Sequence, residues 1–175
     1  MKLIYKYMFL MLLSVFGLSF QQQDFDPNSK VKAVFLYNFT KYFEWPQKMK
    51  SGNFIIQVIG SNPSLNQELS KMANTKQIGN QKLEIKNNTQ LENSNQPHII
   101  FLLSEASDRL KEIVAKNKEK GSLIVTEKTG LAKAGSAINF VVMDNKQKFE
   151  YSVRNAENAG LKTSAEFKSL SIVIN

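Results

Sequence analysis

The chain has one histidine, His98, and no cysteine, which leaves few ways to build a reactive centre. A thiol nucleophile and a cysteine metal cluster are excluded, and one imidazole cannot supply a histidine-based cluster. Any Ser-His-acid arrangement would have to use His98 as its base. His98 stands at the head of the apolar run Ile99-Ile100-Phe101-Leu102-Leu103, so it reads as a structural polar group at a strand start rather than as a base. No G-x-S-x-G, no P-loop and no metal-ligand spacing occurs, and the short acidic pairings fall on predicted helices. The expectation is a non-enzymatic protein with no catalytic residue, no metal site and no cofactor.

Four further positions are candidates for structural, ligand or partner contacts. Asn38 follows Val34 by four residues and Phe35 by three, inside an apolar helical stripe. Left unsatisfied there, a buried amide would cost about 1–3 kcal/mol, so Asn38 is expected to fix the fold by bonding a neighbouring loop, with a ligand contact as the alternative. Trp45 is the sole tryptophan and precedes Pro46; it reads as a core plug, or else as an exposed anchor for a partner. Gly60 with Ser61 after one strand, and Ser104 after another, could turn backbone amides toward an anion, although ordinary turns and caps explain the same residues.

The elements that must position these residues can be read from periodicity. Asp26-Pro27 has the form of an N-cap followed by proline at the first helical position. From there Val31, Val34, Phe35, Phe39 and Tyr42 fall on one helical face, with a stop near Glu44 because Trp45 precedes a proline. Residues 54–59 form a buried strand closed by Gly60, and Asn62-Pro63 opens a second helix through Leu65, Leu69 and Met72. Strands follow over 82–86, 98–103 and 123–125, with a loop over 87–96 rich in Asn, Gln and Ser. Ser104 should cap a third helix through Leu110, Ile113 and Val114 that ends at Gly121. Residues 126–136 read as a loop, and 138–143 with 149–153 as a hairpin around Asp144-Asn145. The last segment is ambiguous between a helix opened by Thr163 and Glu166 and a strand through Ile172, Val173 and Ile174. Alternating strands and helices define an α/β fold: one layered domain with a mixed β-sheet of about five to six strands and helices on both faces.

Composition sets outer bounds. The 175 residues, 42% hydrophobic and 22% charged, suit one globular domain rather than a disordered chain. Lys2 and Lys6 precede an apolar run of about a dozen residues, followed by Gly17, Ser19 and three glutamines. That is the layout of a secretory signal peptide, too short to span a bilayer, which takes about 20 apolar residues. We expect a signal peptide over 1–19 and a folded domain over 20–175, placing the protein in the periplasm without membrane insertion after cleavage. An uncleaved N-terminal anchor is the alternative. Subtracting Lys2 and Lys6 leaves 21 basic against 15 acidic residues; the lysines are scattered and read as a solvated face, and no nucleic-acid partner is expected.

The residues at 30–46, KVKAVFLYNFTKYFEWP, together with Val58-Ile59-Gly60, Pro97-His98-Ile99-Ile100-Phe101, Gly135-Ser136-Ala137-Ile138-Asn139-Phe140, and Asn155-Ala156 with Ala159-Gly160-Leu161 and Ser164, make the chain resemble the YfiR family. The Phe-x-Trp-Pro block behind its aromatic helix is the most distinctive piece. The resemblance implies an exported α/β regulator that restrains an inner-membrane signalling protein, in characterised relatives a diguanylate cyclase, and so lowers cyclic-di-GMP signalling and biofilm formation. A periplasmic small-molecule sensor domain for a sensor kinase or other partner is the alternative. Disulfide-based redox control, implied for some relatives, cannot operate in a chain without cysteine. The resemblance also favours a helix over 163–173 and suggests a homodimer, for which exposed Leu36 and Phe43 could supply a symmetric contact.

Overall fold

In the computed structural model, which describes residues 26–87 and 96–174, five parallel strands form the centre of one eight-stranded sheet. In chain order the elements are α1 (Ser29–Phe39), β1 (Phe43–Glu44), β2 (Phe54–Ile59), α2 (Pro63–Thr75), β3 (Gln77–Ile78), β4 (Gln81–Asn87), β5 (Ile99–Leu102), α3 (Leu110–Asn117) and β6 (Leu123–Thr126). They continue with α4 (Leu131–Ala134), β7 (Ile138–Met143), β8 (Lys146–Ser152), α5 (Val153–Asn158), β9 (Lys162–Thr163), α6 (Ala165–Leu170) and β10 (Ile172–Ile174). The sheet runs β10-β8-β7-β6-β5-β2-β4-β3, while β1 and β9 form a separate two-stranded pair. The fold class is thus α/β with a mixed sheet, as expected, and the edge strands β3 and β10 and the antiparallel β8 carry it beyond five or six strands. The expected signal peptide over 1–19 lies outside the described residues, as does most of the expected loop over 87–96.

Strands β4, β2, β5, β6 and β7 are mutually parallel. Counted along the chain their order is 2-1-3-4-5, the doubly wound arrangement in which the first strand lies centrally and the connections diverge on either side of it. Both faces are therefore covered, and the parallel strands read as unbroken apolar runs: every residue of β2 and of β5 is buried. Alternate side chains point to opposite sides. Phe54, Ile56 and Val58 of β2 join Leu36 of α1, Leu65 and Leu69 of α2 and Phe167 of α6 in the larger core, while Ile59 joins Ile100, Ile124, and Leu110 and Ile113 of α3 in the smaller one.

Several local expectations are corrected. Helix α1 buries Ser29, Ala33, Leu36 and Phe39, leaving Val31 and Val34 41% and 40% exposed. This helix is apolar almost all round, so spacing alone did not select the face. It ends at Phe39 rather than near Glu44, because Phe43 and Glu44 pair with Thr163 and Lys162 and strand pairing terminates it before Pro46 does. Leu36 and Phe43 are buried, at 0% and 6% exposure, so they offer no symmetric contact. The helix starts at Ser29 behind Asn28; Asp26 instead accepts the Asn28 amide at 2.9 Å in a preceding turn.

Farther along, residues 126–136 contain α4, and Ser104 lies inside a 3₁₀ stretch, Ser104–Arg109, whose N-cap is Leu103. Helix α3 stops at Asn117, and Gly121, at φ +90°, closes the turn that follows. The ambiguous C-terminal segment divides: β9, then α6 capped by Ser164 accepting the Phe167 amide at 3.3 Å, then β10. The hairpin turn falls where expected, with Asp144 and Asn145 at φ +53° and +57°, the left-handed pair of a type I′ turn.

Candidate functional site

In a doubly wound sheet the crevice for ligands opens beyond the carboxyl ends of the strands, where the order reverses. Here that point lies between β2 and β5, at Gly60-Ser61 and Leu103-Ser104. Gly60 is at φ +117°, and a Cβ on it would sit 2.8 Å from the Leu103 Cβ, so the close approach of the two strand ends requires glycine. The Ser61 amide donates to Glu105 Oε1 at 2.5 Å. The Ser104 amide donates to Glu127 Oε1 at 3.0 Å, and its hydroxyl reaches the same atom at 3.3 Å. The Ser61 and Ser104 amides, which could have turned toward an anion or served ordinary turns and caps, face carboxylates of the chain itself.

Helix α1 is tied to this crevice by Lys32. Its Nζ donates to Asp26 Oδ2 at 2.9 Å and to Glu127 Oε2 at 2.7 Å, with only 12% of the lysine side chain exposed. Asn62 continues the network: its Nδ2 donates to Asp26 Oδ2 at 3.1 Å, while its Oδ1 accepts the Leu65 amide at 2.9 Å as the cap of α2. Burial acts to raise the Asp26 pKa, yet the bonds from Lys32, Asn28 and Asn62 hold it below the usual carboxylate range. Burial likewise acts to lower Lys32, and its two carboxylate partners outweigh this and raise it. One lysine between two carboxylates thus joins the start of α1, the cap of α2 and the ends of β5 and β6.

Beside the network lies a cavity of about 610 Å³ lined by Lys32, Ser104, Glu127, Phe140, Met143 and Glu150 among others. Beneath it runs a buried polar chain: Thr126 Oγ1 bonds Ser136 Oγ at 2.8 Å and donates to Asn139 Oδ1 at 2.7 Å, and Asn139 Nδ2 donates to Glu150 Oε2 at 3.0 Å. Sequence reasoning named none of Lys32, Asp26, Glu127, Asn139 and Glu150 as a site residue, although Asp26 was read as a helix start and Asn139 fell within the block 135–140. Apart from Asp26 they become neighbours through the sheet order, which no sequence spacing encodes.

The remaining candidates sit elsewhere. His98 is 3% exposed at the amino end of β5; its Nδ1 accepts the Ile55 amide at 3.1 Å. That bond leaves the proton on Nε2, 2.7 Å from the Met49 carbonyl oxygen. Burial pushes its pKa down, so the ring is a neutral cross-link between two backbone segments. Trp45 is 7% exposed, and its Nε1–H donates to the His98 carbonyl oxygen at 3.2 Å, which places it in the core. Asn38 is half-buried, and its Oδ1 accepts from Nζ of Lys41, in the turn that follows α1, at 3.0 Å. Gly60 and Ser104 are thus together at the carboxyl edge, His98 and Trp45 together at the opposite edge, and Asn38 lies apart from both.

Among the described residues no group of three or more His, Asp or Glu is placed to hold a metal ion, and no helix is long and apolar enough to cross a membrane. The fold and site thus define a doubly wound α/β domain whose strand-end polar groups at the switch point bond one another, with a cavity beside them beyond the carboxyl ends of β6 and β7. The chain belongs to the YfiR/HmsC-like family, whose family model matches residues 29–171. That family is one of regulators rather than of catalysts. No curated protein matches the chain.

Proposed function

We propose that the protein is an exported, non-catalytic regulator that docks on the extracytoplasmic part of an inner-membrane signalling protein, a diguanylate cyclase, and holds it in its less active state. The observation that carries this reading is family membership across residues 29–171. The site geometry supports it: the anion-binding amides at the switch point are satisfied by Glu105 and Glu127, and the sole histidine is locked between backbone groups. The cavity rim adds a docking feature, because Val142 and Met143 line it while remaining 61% and 46% exposed. The test is cellular cyclic-di-GMP with and without the gene, beside identification of membrane proteins co-purifying with the tagged protein. A rise on deletion with capture of a cyclase is expected; unchanged cyclic-di-GMP with no signalling protein captured would overturn the proposal.

A second reading, a small-molecule sensor domain, is favoured by the cavity of about 610 Å³ beyond the carboxyl ends of β6 and β7, on the edge of the sheet at which α/β folds bind ligands. A thermal-shift screen separates the two, since a ligand at 100 times its Kd adds about 2.7 kcal/mol of stability.

A further inference from the structure

Exposed lysines are spread over the molecule, and several of them converge on the edge opposite the crevice. At the amino ends of β5 and β6 three backbone segments are knitted together. Gly121 lies so close under residues 46–49 that a Cβ on it would meet Met49 Sδ at 2.7 Å and Pro46 Cδ at 2.8 Å. Its amide donates to the Ala159 carbonyl at 2.8 Å, and the Glu119 amide donates to the Asn158 carbonyl at 3.0 Å. Lys162 in turn pairs across the small sheet with Glu44. This convergence brings Lys48, Lys118, Lys120 and Lys162 onto one end of the domain, all exposed and none in an ion pair among the described residues. Lys50 adds a fifth cation, loosely held to exposed Glu44 at 3.6 Å. Glu44, Glu119 and exposed Glu157, which lies next to Asn158 and acts on Tyr151 beside Thr163, are the acids interleaved with them, and the five lysines outnumber these three.

We propose that this lysine end is a docking face for an anionic phospholipid surface. The cations of this face are lysines, with no arginine fork among them; Lys118 lies at the rim of a cavity of about 220 Å³ and Lys48 at the rim of another of about 250 Å³, and neither cavity is lined by both. Flexible point charges of this kind suit a diffuse layer of headgroup phosphates, whereas a planar guanidinium favours bidentate capture of a single carboxylate. No large apolar side chain is exposed among these positions, so the contact is electrostatic and peripheral, without insertion. Each lysine near an anionic bilayer strengthens association about fivefold. Docked this way, the molecule turns its carboxyl-edge crevice away from the bilayer. The inference draws its biological setting from the proposed export and membrane partner, but the face itself rests only on the residues named.

The test is sedimentation of the purified protein with vesicles of phosphatidylglycerol mixed into phosphatidylcholine, against phosphatidylcholine alone. Two variants of equal net charge are compared: K48Q/K118Q/K120Q/K162Q, and K30Q/K128Q/K133Q/K146Q, whose lysines are exposed elsewhere. Wild type should prefer anionic vesicles at about 0.1 M salt and release them at about 1 M, as the screening length falls from about 10 to about 3 Å. The first variant should lose about 100-fold or more in partitioning, the second less than about tenfold. Equal losses in the two variants, or no preference of wild type for anionic vesicles, would overturn the proposal. If wild type ignores lipid while the first variant loses co-purification with its membrane partner, the face is a protein interface and the lipid assignment falls. Vesicle binding that persists without capture of any cyclase would instead overturn only the proposed function.

Discussion

His98 shows what a single residue contributes here, because its ring bridges the Ile55 amide and the Met49 carbonyl with no solvent to replace either. His98→Ala should destabilise the fold by about 2–4 kcal/mol, combining two orphaned backbone groups with a cavity; chemical denaturation measures this directly. The pH dependence follows from the lowered pKa. A histidine depressed in the fold leaves the unfolded chain binding more protons, so stability is complete above the unfolded value of about 6.5 and falls as pH drops from there through the folded pKa. That slope should vanish in His98→Gln, and its persistence would assign the titration to another group. Lys32 is the second such residue. Lys32→Met leaves Asp26 and Glu127 facing each other without their common cation, and should cost about 2–3 kcal/mol at neutral pH. Because Asp26 is held below the ordinary carboxylate range, its contribution is present at neutral pH and lost as pH falls through its folded pKa. Unfolding curves of wild type and Lys32→Met should therefore converge in acid.

At the scale of elements, what was legible in the sequence depended on whether one signal dominated. The buried run Phe54–Ile59, the Asn62-Pro63 start of α2 and the Asp144-Asn145 turn were each fixed by local chemistry and are found in place. Helix α1 was not, because Val31 and Val34 compete with Ala33 and Leu36 for the inner face, and only the sheet beneath decides. The C-terminal segment misled for a different reason: capping at Ser164 and β-branching at Ile172 to Ile174 are both real and act in succession. Of the site, Gly60 and Ser104 were visible as strand ends, while Lys32, Glu127 and Glu150 meet only through long-range topology. Helix α6 offers a sharp test of this layer. Phe167, 0% exposed, is ringed by Phe39, Phe43, Phe149 and Tyr151 with centroids 4.9–5.6 Å away. Phe167→Ala should cost about 3–5 kcal/mol and loosen β10, which depends on α6 for its placement. Hydrogen exchange at Ile172 to Ile174 should then rise before that of β5, and uniform exchange would show that α6 does not anchor the strand.

For the whole molecule, the doubly wound order gives the two ends of the sheet different characters. One end holds the Asp26-Lys32-Glu127 network and the cavity, the other the Trp45–His98 cross-link and unpaired lysines. If the protein restrains a membrane signalling partner, the cavity end has the features of its docking face. Exposed large apolar side chains, Val142 and Met143, project there from a hairpin arm that outruns β6, whose pairing with β7 stops at Asn139. Their exposure means that Val142→Glu and Met143→Glu should change stability by no more than about 0.5 kcal/mol. A charge placed at an apolar contact should nonetheless weaken partner capture about 30-fold, the scale of an interface hot spot. Lys111→Ala, on the exposed side of α3 under the opposite face, should leave capture within about twofold. Quantitative co-purification with melting temperatures for all three variants decides the matter. Loss at the hairpin with stability intact assigns the restraint to the cavity end, whereas unchanged capture by both glutamate variants removes that end from the interface and leaves the cavity to a small ligand.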